Sequence, residues 1–205
     1  MKKCFLLIAM AMFSVVNPAM AQSEKAIAKA VKKSVRQYEA DGWKPVESGT
    51  LELIVSRHFT KLYSSNNLQE ITGFANAKRS INLAKTEARN NAINEYAEKS
   101  RSYVRARMNT HISDMPEKQA EAFVAGYERL VSSVIDGQLQ ASYHMYKRNH
   151  NGTYDVRAFY IVDEESAAKK REEAAKQAIK DAQVAHQYAD EISKFVKEGF
   201  DNINQ

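Results

Sequence analysis

The sequence predicts an α+β fold: a small antiparallel sheet that includes a C-terminal β-hairpin, packed against several helices and followed by a long C-terminal helix. Three observations lead there. Residues on either side of Asn151-Gly152 form two β-rich runs joined by a strong turn signal. Other stretches carry apolar residues at i, i+3, i+4 and i+7, the repeat of an amphipathic helix. From Asp163 onward, alanines recur at alternating steps of three and four.

The chain opens MKKCFLLIAMAMFSVVNPAMAQ. Lys2 and Lys3 make a basic start, Phe5 to Val16 a short apolar run, and Ala19-Met20-Ala21 a small-x-small cleavage site. The run falls short of the roughly 20 residues that span a bilayer. A signal peptide is therefore expected over 1–21, with Gln22 as the mature N-terminus and no transmembrane segment after it. Cys4, the single cysteine, precedes the apolar run, where no lipid anchor attaches. The mature chain then has no thiol, which excludes a disulfide, Cys-ligated zinc and a Cys nucleophile. Its 184 residues, 205 less 21, suffice for an α+β domain over 22–162 and an amphipathic helix over 163–205. Of the 30 basic residues, Lys2 and Lys3 leave with the leader. The remaining 28 face 25 acids, a net charge of +3 that does not mark a polyanion binder.

Residues 23–40 read as a helix with Ile27, Val31, Ser34 and Tyr38 on one face, capped by Ser23 and ended by Asp41-Gly42. Trp43 to Val46 is extended, since Lys44 precedes a proline. In 50–63, Leu51, Ile54, Val55, His58, Phe59 and Leu62 form one helical stripe behind a Thr50 cap. Gln69 to Ala77 reads as a strand with Ile71, Gly73 and Ala75 on one side. Ser80 then caps a helix to about Thr110, whose inner stripe is Ile81, Ala84, Ala88, Ala92 and Tyr96. Alanine at i, i+4 and i+8 leaves little side-chain relief. With Gly73 opposite, it describes a helix pressed close against a sheet. A further helix runs over 116–136, with Pro116 in its first turn and Gly137 as its C-terminal cap.

Asn151-Gly152 predicts a two-residue type I′ turn. That turn sets Arg148 opposite Asp155, Tyr146 opposite Arg157, and His144 opposite Phe159. On the other, apolar face, Met145 opposes Ala158 and Tyr143 opposes Tyr160. The last segment reads as one long helix in which Ala175, Ala178, Ala182, Ala185, Ala189, Ile192 and Val196 form a heptad seam. That seam packs on the domain or, as a coiled coil, on a second copy of the chain.

The order of a leader, the strand "ITGFANA", the helix "AKTEARNNAINEYAEKSRSYV" and a hairpin ending "YDVRAFYIVDEESAAKK" resembles the twenty-kilodalton lipoprotein family of bacterial envelopes and related exported proteins. The resemblance covers roughly residues 69–170. It implies an α+β envelope domain without an assigned activity, although the lipid-anchor cysteine is absent.

Motifs for chemistry are few. His58, His111, His144, His150 and His186 show no ligand spacing, and no metal or cofactor is expected. His58 lies on an apolar stripe and reads as a core histidine. No G-x-S-x-G, P-loop or G-x-G-x-x-G occurs. One polar cluster stands out: Arg101, Tyr103, Arg105 and Arg107, joined by Tyr146, Arg148 and Arg157 on the hairpin. Cations among aromatics suit acidic glycans, lipid headgroups or nucleic acid, while matching acids on neighbouring helices make the same residues ordinary surface charge. Arg101, Arg105, Tyr146, Arg148 and Arg157 are the candidate binding surface.

These readings describe a non-enzymatic exported protein of the periplasm or envelope surface. Its partner is another envelope protein or an anionic envelope component rather than nucleic acid, with self-association through the last helix as a further use. A hydrolase or glycan-binding protein with a fold-assembled site is the alternative. The intact mass of the native protein is expected to start at Gln22 without lipid; an acylated N-terminus or retained Met1 refutes the leader.

Overall fold

The computed structural model describes residues 24–198. The expected leader and Ser23 lie outside these residues. Among the described residues, six α-helices surround one four-stranded sheet: α1 Glu24–Ala40, β1 Lys44–Pro45, α2 Leu51–Leu62, β2 Leu68–Lys78, α3 Ile81–His111, α4 Glu117–Ile135, β3 Gln140–Arg148, β4 Tyr154–Asp163, α5 Glu164–Asp181 and α6 His186–Glu198. The strand order is β1-β3-β4-β2, all antiparallel. The chain is therefore α+β, with its sheet covered on both faces.

Helices α1 and α2 cover one face. Val31, Val35, Ile54 and Val55 pack there on Tyr143, Met145 and Phe159. Thr50 caps α2 by accepting from the Leu53 N–H at 3.2 Å. The other face carries α3, and α4, α5 and α6 pack outside it into the same core. Ser80 caps α3 through the Leu83 N–H, and Ala84, Ala88 and Ala92 are fully buried. A Cβ placed on Gly73 lies 1.8 Å from the Ala88 carbonyl oxygen and 2.7 Å from its carbon. Strand and helix thus meet backbone to backbone, which only the absence of a side chain on β2 permits. Beside this contact, the Asn91 side-chain amide donates to the Phe74 carbonyl at 2.6 Å.

Four local expectations are corrected. The hairpin turn is not type I′: Asn149 pairs with Thr153, and the Gly152 N–H bonds to the Asn149 carbonyl at 3.0 Å. Gly152 alone has positive φ in this turn, at 80°. This is a three-residue loop closing on a left-handed glycine, stabilised by the Asn151 side chain accepting from the Thr153 N–H and hydroxyl. The extra loop residue shifts each pair by one as far as Tyr143, beyond which a bulge in β3 shifts them once more. Arg148 faces Tyr154, Tyr146 faces Val156, Met145 faces Arg157, and Tyr143 faces Phe159. A one-residue shift exchanges faces along a strand, so Arg157 leaves the face that Tyr146 and Arg148 share. Secondly, β3 and β4 are not C-terminal, since two helices follow them.

Thirdly, the final segment is not one long helix. It breaks at Gln183, which takes φ 51°. The Gln183 N–H bonds to Lys180 and the Val184 N–H to Ile179, the paired bonds of a Schellman stop. The seam divides accordingly: Ala175 and Ala178 are buried from α5, Ile192 and Val196 from α6, while Ala185 is exposed in the turn. Fourthly, Gly137 sits inside a 3-10 turn, Asp136–Gln138, and does not adopt a left-handed cap.

Gly73→Ala is expected to destabilise by about 3 kcal/mol or more, the upper end of overpacking, because the obstacle is backbone. Ala88→Leu is expected to cost about 1–3 kcal/mol. Gly137→Ala, with open space around its Cβ, should be neutral or slightly stabilising. Denaturant unfolding of the three variants checks this order. At the hairpin, Gly152→Val should cost about 1 kcal/mol or more and Gly152→Asn clearly less, since asparagine tolerates the left-handed region. Equal losses refute the loop conformation.

Candidate functional site

The shifted register decides which hairpin residues stand together. Tyr146 and Arg148 lie two apart on β3 and share a face. Tyr154 is Arg148's partner and Lys44 is Tyr146's, so all four side chains fall on the α3 face. With Gly42 and Ile81, they line a cleft of about 350 Å³. Its volume is at the low end of small-molecule sites. The Tyr146 and Tyr154 rings stand 6.2 Å apart at 59°.

Arg148 loses the acid that a type I′ register would have set against it. Asp155 pairs with Lys147 instead, and its Oδ1 accepts from the Ala77 N–H and the Asn149 amide, both at 2.8 Å. Among the described residues neither Lys44 nor Arg148 has a carboxylate within the 4.0 Å of an ion pair. Two cations are thus left facing a cavity walled by tyrosines.

The other candidate residues are separated from it. Arg157 lies on the opposite face, its guanidinium 4.6 Å from the Trp43 ring centre and 5.5 Å from that of Phe74. Arg101 pairs with Glu128 at 3.0 Å and Glu98 at 3.5 Å, Arg105 pairs with Glu121, and Arg107 pairs with Glu198. Arg101 stands twenty residues along α3 from Ile81, roughly 30 Å at 1.5 Å per residue. Tyr103 is buried on the same helix. The structure therefore divides the sequence cluster into a cleft, a stacked arginine and a ladder of ion pairs.

Glu47 fastens to β3 the segment that follows Lys44. Its carboxylate accepts from the His144 backbone N–H at 2.9 Å and pairs with His144 Nδ1 at 2.5 Å. The Val46 N–H bonds to the His144 carbonyl at 3.0 Å. This clasp ties the chain after β1 to β3 and so places Lys44. Burial acts to raise the Glu47 carboxyl, but the side-chain and backbone bonds to His144 together outweigh it and hold the group below the ordinary carboxylate range.

A second constellation lies on the α2 face. His58 Nδ1 is 2.9 Å from Ser142 Oγ, and Nε2 is 2.5 Å from Glu70 Oε2. Ser142 is the extra residue of a bulge in β3. A serine, a histidine and a carboxylate in a row have the outline of a nucleophilic relay. Here, however, the imidazole is wholly buried between the rings of Phe59, Tyr143 and Phe159. It spans β4 to tie α2 to both β2 and β3, which makes it the core histidine that its stripe implied.

Inside the α3 side of the core, Arg171 is buried and donates to Glu164 and to the Tyr96 hydroxyl. Burial raises the Glu164 carboxyl, with Arg171 opposing that shift. Arg171 is not among the residues that the sequence singled out. Its spacing of four from both Ala167 and Ala175 was the available signal of burial. Lys44 and Tyr154, both lining the cleft, were also missed. Nothing local marks them, since strand pairing alone brings them beside Tyr146 and Arg148. Among the described residues no group of three or more His, Cys, Asp or Glu can hold a metal ion.

Because the Glu47 carboxyl is held below its unfolded value, the clasp contributes stability above the ordinary carboxylate range. That contribution is lost as pH falls from there through the lower, folded value. Glu47→Gln is expected to reduce stability modestly at neutral pH and to flatten this part of the acid limb; unfolding curves that stay parallel to the parent's across the range refute it. No family model, no curated protein and no solved structure matches this chain, so what the cleft can do follows from its own chemistry.

Proposed function

We propose that this chain is an exported envelope protein without enzymatic activity, and that it works by binding an anionic envelope component in the cleft at the hairpin tip. The observation that carries the reading is the pair Lys44 and Arg148, without carboxylate partners among the described residues, beside two tyrosines. Partnered cations mostly serve the surface. Cations left facing a cavity are available to a ligand, and a charge-assisted bond there is about twice as strong as a neutral one. The leader pattern and the resemblance to the twenty-kilodalton envelope lipoproteins support the compartment. No described helix is long and apolar enough to cross a membrane.

A hydrolase reading draws on Ser142, His58 and Glu70. The enclosed imidazole weighs against it, because a general base must reach a proton in a substrate complex. Coiled-coil self-association loses its main support, since α5 and α6 fold back on each other and put Ala175, Ala178, Ile192 and Val196 of the seam into the core shared with α3 and α4.

A photocrosslinking residue at exposed position 150, in native cells, is expected to capture an envelope component, and Arg148→Glu is expected to abolish the capture. Fractionation of the protein with the cytoplasm, or capture indifferent to Arg148→Glu, overturns the reading.

A further inference from the structure

We infer that the cleft between the start of α3 and the tip of the hairpin binds an acidic sugar, one bearing a phosphate or a carboxylate on its ring. The inference rests on the cleft reading above and gives its ligand a chemical class.

Lys44 extends from a two-residue edge strand and Arg148 from the last residue of β3. The pairings Lys44–Tyr146 and Arg148–Tyr154 set the two cations at neighbouring rungs of one sheet face. Asp155, the acid nearest Arg148 in the hairpin, points to the other face and is occupied by Ala77 and Asn149. A single anionic group between the two rungs therefore meets two donors without displacing an existing ion pair. Arginine offers a planar fork that suits carboxylate and phosphate alike, and lysine a point charge.

The walls select what carries the anion. Tyr146 and Tyr154 meet at 59°, so they do not form the parallel slot that clamps a flat base on both sides. Two tilted rings can instead contact the face and the edge of a puckered ring, offering π surface to its C–H groups and phenol oxygens to its hydroxyls. Ile81 adds an apolar side chain to the lining. Gly42, with φ 80° and nothing within 4 Å of its would-be Cβ, leaves the mouth open on the β1 side. A volume of about 350 Å³ takes a small ligand and not a folded partner.

The test is calorimetric titration of the purified protein with glucose 6-phosphate, glucuronate, glucose and uridine monophosphate. Either acidic sugar is expected to bind at least ten-fold tighter than glucose. Binding should weaken at least ten-fold in Arg148→Ala and in Tyr154→Leu, with unchanged melting temperature in Arg148→Ala because that side chain is exposed. Lys44→Ala repeats the test from the opposite rung. A preference for the phosphate points to a phosphorylated sugar, and one for glucuronate to a uronic-acid unit of a polymer; both support the inference. Equal binding of glucose, no binding of either acidic sugar at millimolar concentration, or tighter binding of uridine monophosphate overturns it. If crosslinks still form from position 150 and depend on Arg148 while no sugar binds, the sugar class fails and the cleft reading stands. If neither occurs, both fail.

Discussion

The contact between Gly73 on β2 and the Ala88 carbonyl on α3 is the constraint on which the rest of the molecule depends. A missing side chain on the strand and a row of alanines on the helix let the two backbones touch. Once α3 lies that close to the sheet, its inner stripe is spent on β2 and β4. Its remaining faces then receive α4 and α6, and α4 in turn receives α5. Burial at the β2–α3 contact is thus achieved by short side chains at short range, where dispersion contacts fall off steeply with any added gap.

The opposite face is held differently. Its side chains are large: Trp43, Tyr143, Phe159 and Met145 fill the space under α1 and α2. A polar strut runs through them, with His58 reaching Glu70 on one side of β4 and Ser142 on the other. Such a buried polar link is favourable only when each end is satisfied, as both ring nitrogens are. The Tyr143 ring lies 4.2 Å from that of Phe159 and nearly parallel to it, and burial pushes its phenol well above the ordinary range. The sheet therefore has a close backbone contact of β2 with α3 on one face and large side chains under α1 and α2 on the other, and the cleft opens at the end of the sheet where α3 begins.

One loop residue connects the fold to the site. Asn149 pairs with Thr153, three residues make the turn, and Gly152 alone takes the left-handed conformation. Had the turn used two residues, Arg148 would face Asp155, and Arg157 would share its face with Tyr146. The actual register removes the acid, sends Arg157 to stack between Trp43 and Phe74, and groups Tyr154 with Tyr146 and Lys44. A free cationic cleft is thus a product of turn geometry as much as of residue type.

Much of the architecture could be read from periodicity. Leu51 to Leu62, the alanine stripe of α3 and the face of α4 are each specified by local spacing, and the caps Thr50 and Ser80 are where their side chains accept. Gly73 facing Ala88 was also legible, because small residues on both partners have few other uses. What the sequence by itself left undecided lies where two local solutions differ by little. Asn-Gly fits both a two-residue turn and a three-residue loop, and the choice falls to how β4 packs between two covered faces. Alanine at steps of three and four continues a helix, yet Gln183 ends it, because folding α6 back buries Tyr188, Ile192 and Phe195 that a straight helix would expose. Lys44, Tyr154 and Arg148 are far apart along the chain or bland in isolation. Only strand pairing, which is long-range and cooperative, sets them around one cavity.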